Sequence, residues 1–349
     1  MINFFNDEPS DTRLKVTGLY GLLITANVVS WLWAWIAFRS YPVLLGAALL
    51  AYTFGVRHAV DADHIAAIDN VTRKLMQTGK RPISVGFFFS LGHSTVVIVT
   101  SVALALAVVL LQARFAHLKE IGGAIGTGVS ALFLITIAAA NTFILVGVWR
   151  IFNAVRRGER VIDDELNLLL SQRGFLGRLL RSLFSLISRS WHMYPLGILF
   201  GLGFDTATEI GLLGISAAQG ARGLPLSSLL VFPALFTAGM SLVDTTDGVL
   251  MVGAYGWAFT KPIRKLYYNL TITLISVIIA LAIGGVEVLG LIKDKLDLEG
   301  GIWTLVGIAN ENSGVLGYII VAIFITCWLL SAVFYRIKRL DEVTISLNP

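Results

Sequence analysis

The sequence predicts an all-α protein that crosses a lipid bilayer eight times, and three observations carry that expectation. Hydrophobic residues make up 56% of the chain and charged residues 14%, against roughly a quarter charged in an average soluble domain. Apolar runs close to the ~20 residues that a helix needs to cross a bilayer recur along the whole length. No alternating strand pattern competes with them.

In chain order the spans fall at about residues 16–38, 41–70, 83–111, 121–152, 194–220, 227–258, 267–291 and 314–335. The first run follows Asp7, Glu8 and Asp11 and lacks a small-residue cleavage pattern behind it, so it is expected to be retained as a span. An even number of spans puts both termini on one side. If that side is the cytoplasm, 20 of the 27 Lys and Arg residues lie in inner segments and six in outer ones, with Arg57 inside a span. This is the asymmetry of the positive-inside rule, and it predicts a plasma-membrane protein with both termini cytoplasmic. The net charge of +5 then reflects orientation against anionic lipid, and no nucleic-acid partner is implied.

The longest inner segment, 153–193, carries Arg178, Arg181, Ser182, Ser185, Ser188, Arg189 and His192 opposite Leu179, Leu180, Leu183 and Ile187. That spacing predicts an amphipathic cytoplasmic helix lying on the membrane. It would tether a first half, 1–152, to a second, 194–349, within one membrane domain spanning 1–349. In the fourth span Gly122 and Gly126 permit close helix packing, within the chain or in a homo-oligomer. Cys327 is the single cysteine, which rules out an intramolecular disulfide and makes packing its default role.

Ionisable residues inside a span are costly and mark function. Four spans concentrate them. The second holds Arg57, His58, Asp61, Asp63, His64 and Asp69; the third His93; the fifth Asp205 and Glu209; the sixth Asp244 and Asp247. At about 100° per residue, His58, Asp61 and His64 share one stripe of a regular helix. Asp63 points away from it, so either it supports a histidine from behind or the helix is distorted there. Asp205 and Glu209 are four apart, and Asp244 and Asp247 three apart, so each pair can converge on one point. Imidazole nitrogen with carboxylate oxygen suits Ni²⁺, Co²⁺ or Zn²⁺, whereas Ca²⁺ or Mg²⁺ favours oxygen alone. Blander roles exist: His93 as a hydrogen-bonded core histidine, Met240 as packing, His117 as a solvated loop residue, Arg57 as a structural partner of Asp61 or Asp69. Packing alone does not explain His58, Asp61, Asp63 and His64 in one span. Asp61, Asp63, Asp205, Glu209, Asp244 and Asp247 together with Arg57 leave three negative charges uncompensated even with a divalent ion bound. Proton uptake by the site, and hence proton-coupled transport, is the expected relief.

Two stretches resemble each other. Phe54, Gly55, Asp61, Ala62, His64 and Ile65 correspond to Phe200, Gly201, Thr206, Ala207, Glu209 and Ile210, and Phe89, Gly92 and Ser94 correspond to Phe236, Gly239 and Ser241. Spans two and three would then recur as five and six, inverted in the membrane, with a shared midplane site.

The segment from Arg57 to Ile65, with Asp69 and Asn70, resembles the His-x4-Asp-His signature of the nickel/cobalt transporter family. The segments Leu91 to Thr95, Leu202 to Glu209 and Gly239 to Gly248 resemble its three other motifs, in order, over nearly the whole chain. The resemblance implies secondary uptake of Ni²⁺ or Co²⁺ into the cytoplasm without ATP. It places His58, Asp61, Asp63 and His64 at the centre of metal recognition, with His93, Asp205, Glu209, Asp244 and Asp247 in support, and it suggests a contribution from Asn27. The metal is substrate, and no cofactor is implied. No Gly-x4-Gly-Lys-Ser/Thr phosphate loop occurs, so the chain encodes no ATPase module of its own.

Two other functions compete. A membrane metalloenzyme would need a metal-bound water and a general base beside a substrate cavity, but the chain has no His-Glu-x-x-His and few histidines in its spans. A metal efflux protein would reverse the direction, yet the inner loop holds only His192 where a His-rich loop would be expected.

Overall fold

The computed structural model describes residues 5–107, 127–139, 187–202, 224–258 and 262–312, together with shorter pieces within 124–149, 212–222 and 315–326. Among the described residues the regular structure is helical: α1 (Thr12–Phe38), α2 (Pro42–His58), α3 (Ala62–Gln77) and α4 (Val85–Ala107). Next come α5 (Thr127–Ala139), α6 (Met193–Gly201), α7 (Val231–Ala258), α8 (Pro262–Leu296) and α9 (Gly301–Glu311).

Local chemistry sets several ends. Pro42 opens α2, where its missing N–H costs nothing. Gly79 follows α3 at φ 82°, a left-handed conformation that ends a helix without a Cβ penalty. Four helices are long and apolar enough to cross a membrane, and α2 with α3 forms a fifth candidate bent by 50°. The third, fourth, fifth and eighth expected spans fall partly on residues outside the described set, as do Gly122, Gly126 and nearly all of the expected amphipathic segment. The second span, expected over 41–70, is two helices bent against each other, the distortion that the position of Asp63 left open, and α3 runs on to Gln77. The segment before the eighth expected span contains a helix, α9, packed against α8.

The bundle is organised around α7, which packs against α1, α2, α3, α4 and α8, while α4 packs against α6. Side chains on the outside are apolar: Leu22, Ile24, Val28, Leu32, Trp35 and Ile36 of α1 are exposed. A single helix face cannot bury them, and a lipid environment removes the need. The inside is both apolar and polar. Phe38 stacks on Phe232 at 5.4 Å between ring centroids, next to Ala48, Ala51, Leu235 and Phe236.

The backbones approach closely because glycines sit at the crossings. A Cβ on Gly55 of α2 would stand 2.1 Å from the Phe236 carbonyl of α7, and one on Gly92 of α4 would stand 2.0 Å from the Tyr194 carbonyl of α6. Any side chain at either position forces the helices apart. At the end of the bundle where α3 finishes, the N-terminal segment ties the elements together. Asp7 accepts hydrogen bonds from the backbone N–H of Ser190 at 2.9 Å and from its hydroxyl, while the Asp7 carbonyl accepts from the Arg81 N–H at 2.8 Å.

Candidate metal centre

The junction of α2 and α3 builds the centre. After His58 the chain tightens: the Val60 N–H bonds to the Arg57 carbonyl and the Asp61 N–H to the His58 carbonyl at 2.9 Å. Asp61 is extended (φ −67°, ψ 147°) and stands at the N-cap of α3, yet its carboxylate makes no cap hydrogen bond. An aspartate there would normally accept from the first-turn N–H groups. Instead Asp61 Oδ2 accepts from His58 Nδ1 at 3.0 Å. The break spends a helix cap on fixing an imidazole.

Holding the Nδ1 proton of His58 leaves its Nε2 lone pair pointing inwards, where it meets Nε2 of His93 at 2.9 Å. His93 is delivered by α4, whose Gly86, Ser90 and His93 share the face towards α7. A Cβ on Gly86 would stand 1.9 Å from the Asp244 carbonyl, and the Ser90 and Ser241 hydroxyls bond at 3.0 Å. The third imidazole, His64, comes from α3. Its Nδ1 faces the two carboxylate oxygens of Asp244 at 3.3 and 3.4 Å, which turns its Nε2 towards the other rings. His64 is 0% exposed, and its Nε2 has no hydrogen-bond partner among the described residues. A buried polar atom left so is costly unless something else occupies the position.

His58, His64 and His93 thus offer nitrogens that all lie within 4.8 Å of one another. At metal–nitrogen bonds of ~2.0–2.1 Å, ligands at right angles stand about 2.9 Å apart; the 2.9 Å of the His58–His93 pair matches this. Phe89 lies edge-on to His64 at 4.8 Å and Phe236 lies 5.6 Å from His58, so the rings are walled by aromatics and shielded from water. The chemistry available is reversible binding of a borderline divalent cation by three neutral imidazoles, with two carboxylates behind them.

The other expected residues are distributed around this core. Asp63 sits in the first turn of α3 but outside the imidazole group, lining a separate cavity. Asp247 lies one turn beyond Asp244, within electrostatic reach of Asp69 and Asp244. Asp69 is buried and accepts from the Tyr255 hydroxyl and, at 2.8 Å, from the Ser276 hydroxyl. Asn27 donates to the carbonyls of Leu23 at 2.9 Å and Ala238 at 3.2 Å, tying α1 to α7. Asp205, Thr206 and Glu209 lie outside the described residues. Arg57 is a correction: it is exposed, and among the described residues it makes no ion pair with Asp61 or Asp69.

By sequence Arg73 falls in the inner loop after the second span, and Asn141, Tyr255 and Ser276 are not singled out, yet all four are buried. Arg73, 1% exposed, donates to Asn70 Oδ1 at 2.8 Å, an oxygen that also accepts from Asn141 at 2.8 Å. Tyr255 and Ser276 hold Asp69. The one available signal was Arg73 standing a helical turn after Asp69, had α3 been read through to Gln77.

A family model for high-affinity nickel-transport proteins matches residues 44–334. The chain is 58% identical over 330 residues to the high-affinity nickel transport protein of Cupriavidus necator, which covers 95% of this chain and 94% of that protein. It is 44% identical over 335 residues to the nickel transporter NicT of Mycobacterium tuberculosis, covering 93% and 89% of the two chains. It is 38% identical over 333 residues to the cobalt transport protein NhlF of Rhodococcus rhodochrous, covering 93% and 94%. No solved structure matches the chain.

Proposed function

The chain belongs to the NicO family of high-affinity nickel-transport proteins, and from that premise we propose that it imports Ni²⁺ or Co²⁺ through the three-imidazole centre. It is a membrane transporter and not an enzyme. The observation that carries the site is the unpartnered, fully buried Nε2 of His64 beside the two facing nitrogens of His58 and His93. His58, His64 and His93 bind the ion, Asp61 and Asp244 orient two of them, and Asp63, Asp205, Glu209 and Asp247 line its path, with Asn27, Arg57, Asp69 and Thr206 in support.

The architecture in this reading is one domain of eight spans in the plasma membrane, both termini cytoplasmic, without an ATPase module. The glycine crossings support the inverted repeat. Gly55 of α2 packs on Phe236, and Gly239 of α7 packs on Tyr52; Gly92 of α4 packs on Tyr194, and Gly201 of α6 packs on His93. Exchanging α2 with α6 and α4 with α7, as the repeat requires, turns the first crossing into the second. Proton coupling belongs to the same reading, because the buried carboxylates outnumber the positive charge of the ion.

The test is labelled Ni²⁺ uptake and equilibrium Ni²⁺ binding by the wild-type chain and by His58→Ala, His64→Ala and His93→Ala. Loss of binding in each supports the centre. Wild-type affinity in all three would refute it.

A further inference from the structure

We propose that the cavity between the start of α3, the end of α8 and α9 is the mouth through which the hydrated ion reaches the imidazoles, with Asp63 as its receiving residue. The inference rests on the transport reading and adds the entry route. The cavity has a volume of about 230 Å³ and is lined by Asp63, Glu287, Lys293, Asp294, Asn310 and Glu311, among others. An ion with six waters, at ~30 Å³ for each water, fits within it. Two other cavities, of about 470 and 680 Å³, have almost wholly apolar walls and suit no cation.

The charges fit a cation path. Four carboxylates face one ammonium, and Lys293 stands 3.6 Å from Asp294, which leaves Asp63, Glu287 and Glu311 to set the field. Glu287 is fixed by the Ser130 hydroxyl of α5, which donates to it at 2.9 Å. Low-dielectric walls focus such a field and raise the local cation concentration.

Asp63 stands between the mouth and the centre: it lines the cavity and immediately precedes the fully buried His64 in the first turn of α3. The bend between α2 and α3 therefore divides the work: His58 and His64 face the centre and Asp63 faces the mouth. On the expected orientation this mouth opens outside the cell.

Whole cells expressing the full chain provide the test. Asn310 is exposed on the cavity wall beside Gly290, and Asn310→Cys in a Cys327→Ser background offers a thiol there. A cationic, membrane-impermeant methanethiosulfonate added outside should slow initial labelled Ni²⁺ uptake about tenfold and leave the Cys327→Ser parent unaffected. Equilibrium Ni²⁺ binding by the purified, modified protein should keep its stoichiometry and affinity, because the imidazoles are untouched. Unchanged uptake after complete modification would overturn the route. Equal loss of binding and uptake would also overturn it, by making the cavity part of the binding centre. Glu287→Gln and Glu311→Gln should each raise the KM for uptake about fivefold with kcat unchanged, and an unmoved KM in both counts against the route. A failure of the histidine variants to lose Ni²⁺ binding would instead strike the centre, and the two results are read separately.

Discussion

The Nε2 atoms of His58 and His93 face each other at 2.9 Å. Two lone pairs do not approach so closely unless a proton or a cation lies between them. With Asp61 accepting a hydrogen bond from His58 Nδ1–H, a neutral His58 presents Nε2 as the acceptor for His93 Nε2–H. In the proposed transport cycle an arriving ion displaces that proton bridge and takes both nitrogens as ligands.

Asp61 and Asp244 therefore act through the rings they orient. Asp61→Asn and Asp244→Asn should each weaken Ni²⁺ binding about 10–100-fold, the usual cost of losing a partner behind a metal-bound histidine. Titration calorimetry on the purified chain measures it. Unchanged affinity in Asp61→Asn would mean that the His58 tautomer is set elsewhere.

Gly55→Val should disturb both stability and site. The added Cβ meets the Phe236 carbonyl at 2.1 Å, and backbone cannot swing aside as a flexible side chain can. Overpacking of this kind costs ~1–3 kcal/mol. Since α2 carries His58 at its end, the displaced helix also carries a ligand away. Thermal unfolding in detergent should show a lowered midpoint, and Ni²⁺ affinity should fall with it.

These contacts show what could be read beforehand. The intramembrane His and Asp residues stood out because burial of such groups is costly, and His93 was legible as an outlier in an apolar span. The break at 59–61 was not, because no Pro or Gly marks it. It arises from Asp61 turning to His58 and from the helical segment at 315–320, whose Gly317 lies against the Val60 carbonyl. A regular helix puts Asp61 on the stripe of the histidines; in the broken one Asp61 bonds to His58 Nδ1 from behind, and the nitrogen that meets His58 Nε2 is that of His93. For Asp63 the sequence left open a supporting role or a distorted helix, and its cavity could not be read because it depends on α8 and α9, hundreds of residues away in sequence.

Tyr255→Phe should destabilise the protein. Asp69 is 0% exposed and takes two of its hydrogen bonds from the Tyr255 and Ser276 hydroxyls. Removing one donor to a buried carboxylate costs about 1–3 kcal/mol. Ser276→Ala should act in the same direction, and because both bonds serve one carboxylate the double variant should depart from additivity. Thermal denaturation of the four proteins measures the coupling.

Asp7→Ala should loosen the end of the bundle that carries the N-terminal segment. Asp7 joins that segment to Ser190, at the end of the segment between the two halves, through two hydrogen bonds. Lys74 and Lys80 hold the neighbouring Ile187 and Ser188 carbonyls from the α3–α4 side. Amide exchange around 187–192 should quicken in Asp7→Ala, while Ni²⁺ affinity stays put because no ligand is touched. A change in affinity without a change in exchange would contradict this division.

Selectivity follows from the donor set. Three imidazoles offer borderline nitrogen in a dry, aromatic-walled space, and hard cations that prefer a shell of oxygens gain little from exchanging water for nitrogen. Co²⁺ and Zn²⁺ should therefore compete with labelled Ni²⁺ for binding at comparable concentrations, whereas Mg²⁺ and Ca²⁺ should not compete even at about a thousandfold excess. The mouth behaves differently, since carboxylates there attract any divalent cation by charge. High Mg²⁺ should slow the initial uptake of Ni²⁺ by screening that field while equilibrium binding at the imidazoles is unaffected. Uptake rate and equilibrium affinity measured against the same Mg²⁺ series separate the two stations. If both fall together, the nitrogen centre does not discriminate as its chemistry requires.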